Sequence, residues 1–220
     1  MSDILRKTRE AYDGLAETYD RVNRSIEDIH GILEAFTSTL EGKLVLDVGC
    51  GHGRDAEYFT EQGLHVVGLD LSSELIRIAR LKAREARLML ADMRRPPFRD
   101  RCFDGIWACA SFHHLEKDDA PEAMNQLTRI LGDNAVTQVS VKKGSFNGFE
   151  TRNRYGGSPR YYSFYTGEEL KKLITEAGLK VKHSNINAEE KLDSHWINLL
   201  LERGPPELSR KEAIFIRRKT

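Results

Sequence analysis

The chain has 220 residues, of which 40% are apolar and 31% are charged, a composition that suits one globular domain with a sizeable core. Its 34 basic residues equal its 34 acidic residues, so net charge does not favour nucleic acid over small molecules as the partner. Three cysteines without CxxC spacing argue against a disulfide framework or a zinc site and predict reduced thiols in a cytoplasmic protein. The first residues are too charged for a signal peptide and no apolar run has the length of a membrane span, so we expect neither.

Strands and helices are predicted to alternate along the chain. Apolar residues at helical spacing between Ile26 and Phe36 predict a helix before the first strand. Apolar runs then predict strands at 43–49, 64–72, 86–93, 103–111, 135–143, 179–187 and 195–203. Amphipathic segments predict helices at 53–63, 73–85, 120–131 and 166–178. This alternation is typical of an α/β fold with a largely parallel sheet and helices on both faces, in which ligands bind beyond the carboxyl ends of the strands.

Two segments do not fit this alternation. The stretch GSFNGFETRNRYGGSP, residues 144–159, is long and glycine-rich, which predicts a functional or mobile loop. From Gly204 onward the chain reads GPPELSRKEAIFIRRKT, and its basic end is either an extra strand or a docking arm.

The glycine-rich stretch LVLDVGCGHGRDAEYF, residues 44–59, predicts a close approach between backbone and ligand. A dinucleotide fingerprint needs a glycine at position 54, where this chain has Arg54, and the pattern of a P-loop is absent. Asp47, at the end of the first strand, would repel a diphosphate and attract an ammonium or sulfonium group. The helix that begins after Gly53 offers amide groups to a carboxylate. An amino acid carries both groups at one end.

Two further aspartates extend this ligand. Asp70 ends the second strand, where its carboxylate can accept hydrogen bonds from both hydroxyls of a ribose. Asp92 ends the third strand and can accept from an adenine amino group while Met93 packs on the ring. Alternatively, Asp92 forms a surface ion pair with Arg94 or Arg95. Amino acid, ribose and adenine together describe S-adenosyl-L-methionine.

Four stretches resemble the successive motifs of class I S-adenosylmethionine-dependent methyltransferases of the type 11/25-like superfamily: LVLDVGCGHG, VVGLDLS, LADMRRPPF and FDGIWACASFHHL. The upstream AYDGLAETYDRV is similar to the helix with which many of them cover the cofactor. The resemblance implies a Rossmann-like fold, in which a seven-stranded, mostly parallel sheet has helices on both faces and an antiparallel final strand pair. It implies an N-terminal helical lid at 1–40, a methyltransferase domain at 41–203 with an inserted loop at 144–160, and a basic tail at 204–220.

The resemblance also implies roles for single residues. The cofactor-binding residues are Tyr19 in the lid, Asp47, Gly49 and Gly51 at the methionine end, Asp70 and Leu71 at the ribose, and Asp92 and Met93 at the adenine. S-adenosyl-L-homocysteine would be the product. Strand four carries ACAS in place of Asn-Pro-Pro-Tyr, which argues against methylation of a DNA base. The turn LGDNA replaces the family's usual Pro-Gly-Gly turn before strand five.

Candidate residues for the acceptor side follow the fourth strand and lie in the inserted segment. His113 or His114 is a candidate general base; alternatively, one of them packs under the loop and the other hydrogen-bonds the backbone. Candidates for binding the substrate or RNA are Arg152, Arg154, Tyr155, Arg160 and Tyr161, which mix guanidinium groups with aromatic rings. The same residues are equally a solvated loop over the acceptor pocket.

Three functional hypotheses remain open at this point. The first is methyl transfer by in-line displacement to a small-molecule acceptor, with no metal and no membrane involved. The second makes tRNA the acceptor, because SPRYYSFYTGEELKKLITEAG resembles a stretch of tRNA wobble-uridine methyltransferases. The third is a non-catalytic partner subunit that docks through its tail. An NAD oxidoreductase is disfavoured by Asp47 and Arg54, and the sequence determines neither the acceptor atom nor the oligomeric state.

Overall fold

The computed structural model of the chain describes residues 2–151, 157–189 and 194–204. The described strands are β1 (Leu44–Val48), β2 (His65–Asp70), β3 (Arg87–Leu90), β4 (Phe103–Cys109), β5 (Leu131–Lys142), β6 (Asn147–Thr151), β7 (Pro159–Ser163), β8 (Leu179–Glu189) and β9 (Ser194–Arg203). The described α-helices are α1 (Asp3–Val22), α2 (His30–Thr39), α3 (Arg54–Glu61), α4 (Ser73–Lys82), α5 (Ala120–Ile130) and α6 (Gly167–Glu176). None of these helices has the length and apolar character needed to cross a membrane.

Seven of the strands form one mixed sheet in the order β3-β2-β1-β4-β5-β9-β8. Strands β1 to β5 run parallel, whereas β9 runs antiparallel to both β5 and β8. This confirms the predicted Rossmann-like class I arrangement, including the antiparallel final strand pair. The chain leaves β1 toward β2 on one side and later resumes at β4 on the other side, so a crevice opens at the carboxyl ends of β1 and β4.

The side chains of β1 alternate between the two faces of the sheet, and each face has its own apolar cluster. Leu46 belongs to the cluster that α5 and α6 cover, and Val45 belongs to the cluster that α2 and α3 cover. In the second cluster Phe36, Phe59 and Trp107 pack with ring centroids 5.2 to 5.5 Å apart. Burial on both faces fixes the position of β1, and with it the loop that follows.

Helix α2 begins at His30, later than the helix predicted from Ile26. Ile26 and Ile29 lie before it, around a single 3₁₀ turn at Glu27–Ile29, and both pack partly buried against the second cluster. Residues three apart lie on the same side of a 3₁₀ turn, as they do in an α-helix. The apolar spacing therefore includes Ile26 and Ile29, although the α-helix begins only after them.

The inserted segment contains a two-stranded antiparallel sheet of β6 and β7, where the sequence predicted a loop at 144–160. The pairing places Phe149 opposite Tyr161 and Gly148 opposite Tyr162. Asn147 Oδ1 accepts hydrogen bonds from the hydroxyl of Tyr161 at 2.6 Å and from Ser163 at 2.9 Å. Aromatic residues favour strands, and their effect here outweighs the glycines that suggested a loop.

Helix α1 is tied to the sheet domain by two aspartates seven residues apart. Asp13 accepts hydrogen bonds from the Ser72 hydroxyl at 2.6 Å and from the Glu74 amide at 3.2 Å, at the N-terminus of α4. Asp20 bonds to His52 Nδ1 at 2.9 Å and to the ammonium of Lys82. Residues seven apart lie on the same face of a helix, so one face of α1 makes both connections.

The connection at Asp20 is electrostatic and largely buried. Burial, and to a smaller extent the nearby Lys82 ammonium, lowers the pKa of His52 to about 4, so the imidazole is neutral at pH 7. Burial opposes ionisation of Asp20, but its hydrogen bonds to Lys82, His52 and Arg24 outweigh burial and hold its pKa below the usual range. The cluster is therefore an ionised carboxylate bound to two cations and a neutral imidazole.

The low pKa of His52 predicts an acid-sensitive stability. A group whose pKa is lower in the folded state stabilises the fold above its unfolded pKa, near 6.5, and this contribution is lost as pH falls toward 4. Each pKa unit is worth about 1.4 kcal/mol, so between pH 7 and pH 4 the wild type should lose about 3 kcal/mol more free energy of unfolding than His52→Asn. Urea unfolding at both pH values measures this difference, and an equal loss in both proteins would contradict the prediction.

Candidate functional site

A cavity lies between helix α1 and the carboxyl ends of β1, β2, β3 and β4. Its empty volume, with the open mouth included, is about 740 Å³. Seven of the eight predicted cofactor residues line it: Tyr19, Gly49, Gly51, Asp70, Leu71, Asp92 and Met93. The eighth, Asp47, does not belong to the cavity wall formed by the described residues.

The three glycines after β1 adopt left-handed backbone conformations. A side chain at each of the three positions would meet a different neighbour. A Cβ on Gly49 would lie 2.3 Å from the Cβ of Ser111, and a Cβ on Gly53 would lie 2.9 Å from Ala79 of α4. A Cβ on Gly51 would point toward the cavity, with a ring carbon of Tyr19 at 3.9 Å as its nearest neighbour. Glycine at 53 thus allows helix packing, and glycine at 51 keeps space for a ligand.

Asp70 organises the glycine turn from the end of β2. Its two carboxylate oxygens accept hydrogen bonds from the Gly51 amide at 2.9 Å and from the Ser72 amide at 2.8 Å. Burial raises the pKa of Asp70 and the amide hydrogen bonds partly offset this. Each carboxylate oxygen accepts about two hydrogen bonds, so Asp70 can hold the turn and still accept from ligand hydroxyls.

Asp92 lines the cavity and also forms the ion pair that the sequence analysis considered as its alternative role. The Arg94 guanidinium bonds to both oxygens of Asp92, at 2.6 to 3.1 Å, and reaches Asp119 at 2.6 Å. Burial would raise the pKa of Asp92, but the hydrogen bonds from Arg94 outweigh burial and lower it. The two roles are compatible, because Arg94 fixes an ionised carboxylate at the cavity wall beside Met93.

Asp47 is buried under the glycine turn, with only 2% of its surface exposed. Burial raises the pKa of Asp47 well above the usual value, and the neighbouring carboxylates Asp55 and Asp70 raise it further. Arg54 is the nearby cation that opposes this effect. Burial and the neighbouring carboxylates therefore favour the protonated form of Asp47, and a cationic ligand group at this position would favour the ionised form.

Two buried polar atoms at this point lack a hydrogen-bond partner within the described part of the chain, Asp47 Oδ2 and Ser111 Oγ. Ser111 lines the cavity and lies directly against Gly49. Buried polar groups are rarely left unpaired in native proteins, so a ligand with donors and acceptors at this end would satisfy both atoms. The ammonium and carboxylate of S-adenosylmethionine have this chemistry, and the residues present fit the expected cofactor.

The segment after β4 begins with a strained residue that the sequence analysis missed. Ala110 has φ of +57°, a conformation that costs a residue with a Cβ about 1 kcal/mol. The chain thereby turns Ser111 and His114 toward the cavity, and Ala110 itself lines it. Burial raises the pKa of the neighbouring Cys109 to about 12, so its thiol stays protonated and is not a nucleophile.

The two candidate histidines lie in different surroundings. His114 lines the cavity; its Nδ1 lies 2.6 Å from the backbone oxygen of Tyr161, and its Nε2 lies 2.8 Å from the hydroxyl of Tyr12. His113 is buried away from the cavity wall, with the rings of Tyr162 and Trp196 at centroid distances of 5.3 and 5.4 Å. The geometry therefore favours His114 as the residue that could handle a proton.

The candidate residues of the inserted segment are only partly described. Arg152, Arg154 and Tyr155 lie outside the described residues. Arg160 and Tyr161 are buried, with Arg160 only 1% exposed, so neither belongs to a solvated loop and neither presents a surface to RNA. Arg160 instead donates a hydrogen bond to the Tyr12 hydroxyl at 3.2 Å.

The sequence analysis placed Tyr19 in the lid, but it missed Tyr12 and the attachment of the helix through Asp13 and Asp20. Tyr12 and Tyr19 both line the cavity and pack edge to face with ring centroids 5.4 Å apart, while Asp13 and Asp20 hold the helix in place. The seven-residue repeat of Tyr-Asp in AYDGLAETYD was the available signal, because two turns of helix return each residue to the same side.

Comparison with known proteins agrees with this site. Residues 45–134, which include the glycine turn and the ends of β2, β3 and β4, match the family model described as Methyltransferase domain. The O-methyltransferase rstn1 of Aspergillus nomiae is 29% identical over 154 residues, covering 66% of this chain and 67% of that protein. The chain spans 57 to 67% of the length of the first three curated relatives, all named O-methyltransferases.

Similarity to tRNA-modifying proteins is weaker. The mouse protein named probable tRNA methyltransferase 9B is 32% identical over 101 residues, which cover 46% of this chain and 22% of that protein.

The fold is shared with a solved methyltransferase structure. The 1,6-didemethyltoxoflavin-N1-methyltransferase of Burkholderia thailandensis, solved with S-adenosylhomocysteine, superposes with a TM-score of 0.67 at 20% identity, covering 93% of this chain and 92% of that one. The domain match over residues 45–134, the curated relatives and the shared fold together make the chain similar to class I S-adenosylmethionine-dependent methyltransferases.

Proposed function

We propose that the protein transfers a methyl group from S-adenosylmethionine to an oxygen atom of a small-molecule acceptor. The main support is the cavity between α1 and the strand ends, with a buried carboxylate beneath its glycine turn. The O-methyltransferase names of the first three curated relatives support oxygen as the acceptor atom. The burial of Arg160 and Tyr161 favours a small molecule over tRNA, because RNA phosphates need accessible cations.

In this proposal the cofactor lies along the ends of the first three strands. Gly51 and the floor at Asp47 would take its amino-acid end, Asp70 its ribose and Asp92 its adenine, with Met93 against the ring. When bound, the cofactor supplies a methyl group already activated by a positively charged sulfur. The protein then has to bind and orient both molecules, and orientation alone can supply about 7 to 11 kcal/mol of the barrier.

Helix α1 would exclude water from the reacting groups. Tyr12 and Tyr19 contribute their rings to the cavity wall, and His52 continues this row at a centroid distance of 5.4 Å from Tyr19. Excluding water strengthens the electrostatic interactions inside the site. The N-terminal helix is therefore proposed as the lid, and His114 as the residue that handles the proton of the acceptor.

The non-catalytic alternative depended on the tail, and residues 205–220 lie outside the part of the chain that the structure describes.

Asp47→Asn tests the charge beneath the glycine turn. The variant should bind S-adenosylhomocysteine about tenfold more weakly, because a hydrogen bond to a charged group is worth at least 1.5 kcal/mol. Binding of 5′-methylthioadenosine, which lacks the amino-acid end, should not change. Calorimetry measures both affinities, with Asp133→Asn as a control carboxyl outside the cavity wall; equal weakening of both ligands would contradict the assignment.

The raised pKa of Asp47 also predicts that binding releases a proton. A cationic ligand group favours the ionised carboxylate, so the affinity for S-adenosylhomocysteine should fall as pH decreases through the pKa of Asp47. Calorimetry from pH 5 to 8, in buffers with different ionisation enthalpies, counts the protons. The same release in Asp47→Asn would assign the proton to another group.

Asp92→Asn should give the opposite ligand pattern. Both S-adenosylhomocysteine and 5′-methylthioadenosine contain adenine, so both should bind more weakly by a similar factor, about tenfold for loss of a charged acceptor. Isothermal titration with the two ligands checks this. If only the full-length ligand lost affinity, Asp92 would not contact the adenine.

A labelling screen tests the acceptor class. The protein with tritiated-methyl S-adenosylmethionine and cell extract should place label in the small-molecule fraction rather than in RNA or protein. Scintillation counting of the three fractions measures this. Label confined to RNA would replace the proposal with the tRNA alternative, and no label in any fraction would contradict methyl transfer.

A further inference from the structure

We infer that Tyr12 takes the proton of the acceptor and passes it to His114, so that α1 supplies a catalytic residue as well as a cover. This inference rests on the proposed function, since it concerns the acceptor of the same reaction. The inference makes Tyr12 a catalytic residue. It places His114 after Tyr12 in the path of the proton.

The first step is the tautomer of His114. Its Nδ1 lies 2.6 Å from the backbone oxygen of Tyr161, and a carbonyl oxygen can only accept a hydrogen bond. Nδ1 therefore carries the hydrogen in the neutral ring, and Nε2 has the lone pair. The Tyr12 hydroxyl, 2.8 Å from Nε2, is then the donor.

The second step is the cation at Tyr12. Arg160 Nη1 donates to the Tyr12 oxygen at 3.2 Å, and the guanidinium carbon lies 5.0 Å from the centre of the Tyr12 ring. Burial would lower the pKa of Arg160, but Tyr12 and Tyr162 outweigh burial and raise it, so the guanidinium stays charged. A buried cation stabilises negative charge on the phenol oxygen more strongly than an exposed one, because water does not screen it.

The third step is the order of the groups. Tyr12 and His114 both line the cavity, whereas Arg160 does not, so an acceptor can contact the hydroxyl while the guanidinium supports it from behind. The Nε2 atom of His114 is already bonded to Tyr12. A proton that leaves the acceptor therefore reaches His114 through the Tyr12 oxygen.

In this transfer, each O–H bond that breaks is matched by a new bond to the same proton. The acceptor O–H bond breaks and its proton bonds to the Tyr12 oxygen, while the original Tyr12 O–H bond breaks and that proton bonds to Nε2 of His114. The acceptor oxygen keeps the electron pair with which it accepts the methyl group. His114 becomes an imidazolium whose Nδ1–H remains bonded to the Tyr161 carbonyl. After the methylated product leaves, His114 gives its proton to the Tyr12 oxygen, and Tyr12 releases its own proton to water that enters the cavity.

His114 is in contact with Tyr12 of α1, with the adjacent His113 at a centroid distance of 4.5 Å, and with Tyr162 of β7 at 4.7 Å. Among the described residues, the charged groups around this pair are Arg160, which hydrogen-bonds Tyr12, and Glu150, which lies opposite Arg160 in the β6–β7 pairing. Arg9 of α1 lines the same cavity, and the Lys142 ammonium lies 4.8 Å from the centre of the Tyr162 ring.

Tyr12→Phe is the central test, because it removes the hydroxyl and keeps the ring. General base catalysis typically contributes a factor of 10² to 10⁴, so transfer of label to the small-molecule fraction of cell extract should slow about 100-fold. The affinity for S-adenosylhomocysteine should stay within twofold of the wild type. Tyr58→Phe is the matched control, since Tyr58 lies in α3 outside the cavity wall, and it should behave as wild type.

Two measurements on His114 complete the design. Nitrogen-15 NMR of the histidine rings, assigned by comparison with His114→Gln, should show the Nδ1–H tautomer in the wild type and a shifted Nε2 signal in Tyr12→Phe. In labelling assays from pH 5 to 9 with saturating S-adenosylmethionine, the rate of the wild type should fall more steeply at low pH than the rate of His114→Gln. Thermal melting of each variant confirms that it folds.

Several outcomes would overturn the relay. A Tyr12→Phe rate within twofold of wild type removes Tyr12 from the proton path but leaves the proposed function intact. An equal loss of rate and of S-adenosylhomocysteine affinity makes Tyr12 part of the cofactor wall only. An Nε2–H tautomer of His114 excludes the relay whatever the activity. Absence of label from the wild type overturns the proposed function, and the relay with it.

Discussion

The site depends on the attachment of the glycine turn to the end of the second strand. The backbone oxygen of Leu69 accepts from the amides of Gly49 and Cys50 at 2.7 and 3.0 Å, and the Asp70 carboxylate accepts from Gly51. These bonds join two neighbouring strands, so the left-handed turn has its shape before any ligand arrives. A preformed backbone lowers the entropy cost of binding, and it also fixes where the buried carboxylate of β1 lies beneath it.

The N-terminal helix combines two tasks through a simple repeat. Its aspartates at 13 and 20 connect to the start of α4 and to the glycine turn, and its tyrosines at 12 and 19 line the cavity. Each aspartate that attaches the helix therefore directly follows a tyrosine that lines the cavity, and the two side chains lie at neighbouring positions around the helix. A change that loosened either aspartate would move the tyrosine beside it, which couples the stability of the helix to the geometry of the site.

Local patterns predicted the strands of the main sheet along the chain, and they predicted that Asp70 and Asp92 lie at strand ends, where both line the cavity. Strand ends and glycine turns are encoded within a few residues. The contacts that decide the acceptor side are long-range: Tyr12 and His114 are 102 residues apart, and Asp20 and His52 are 32 apart. Neither pairing has a signal in the sequence. The sequence likewise could not separate His113 from His114, since a single 3₁₀ turn directs adjacent rings to different surroundings.

The side chains around the cavity come from two different parts of the structure. The ends of β1 to β3 carry the residues assigned to the donor molecule, whereas the segment after β4 and the inserted β6–β7 pair surround His114. The inserted pair forms a separate two-stranded sheet and leaves the β1 to β3 ladder untouched. A change in this hairpin would therefore alter the surroundings of the acceptor and leave the strand ends assigned to the methyl donor unchanged.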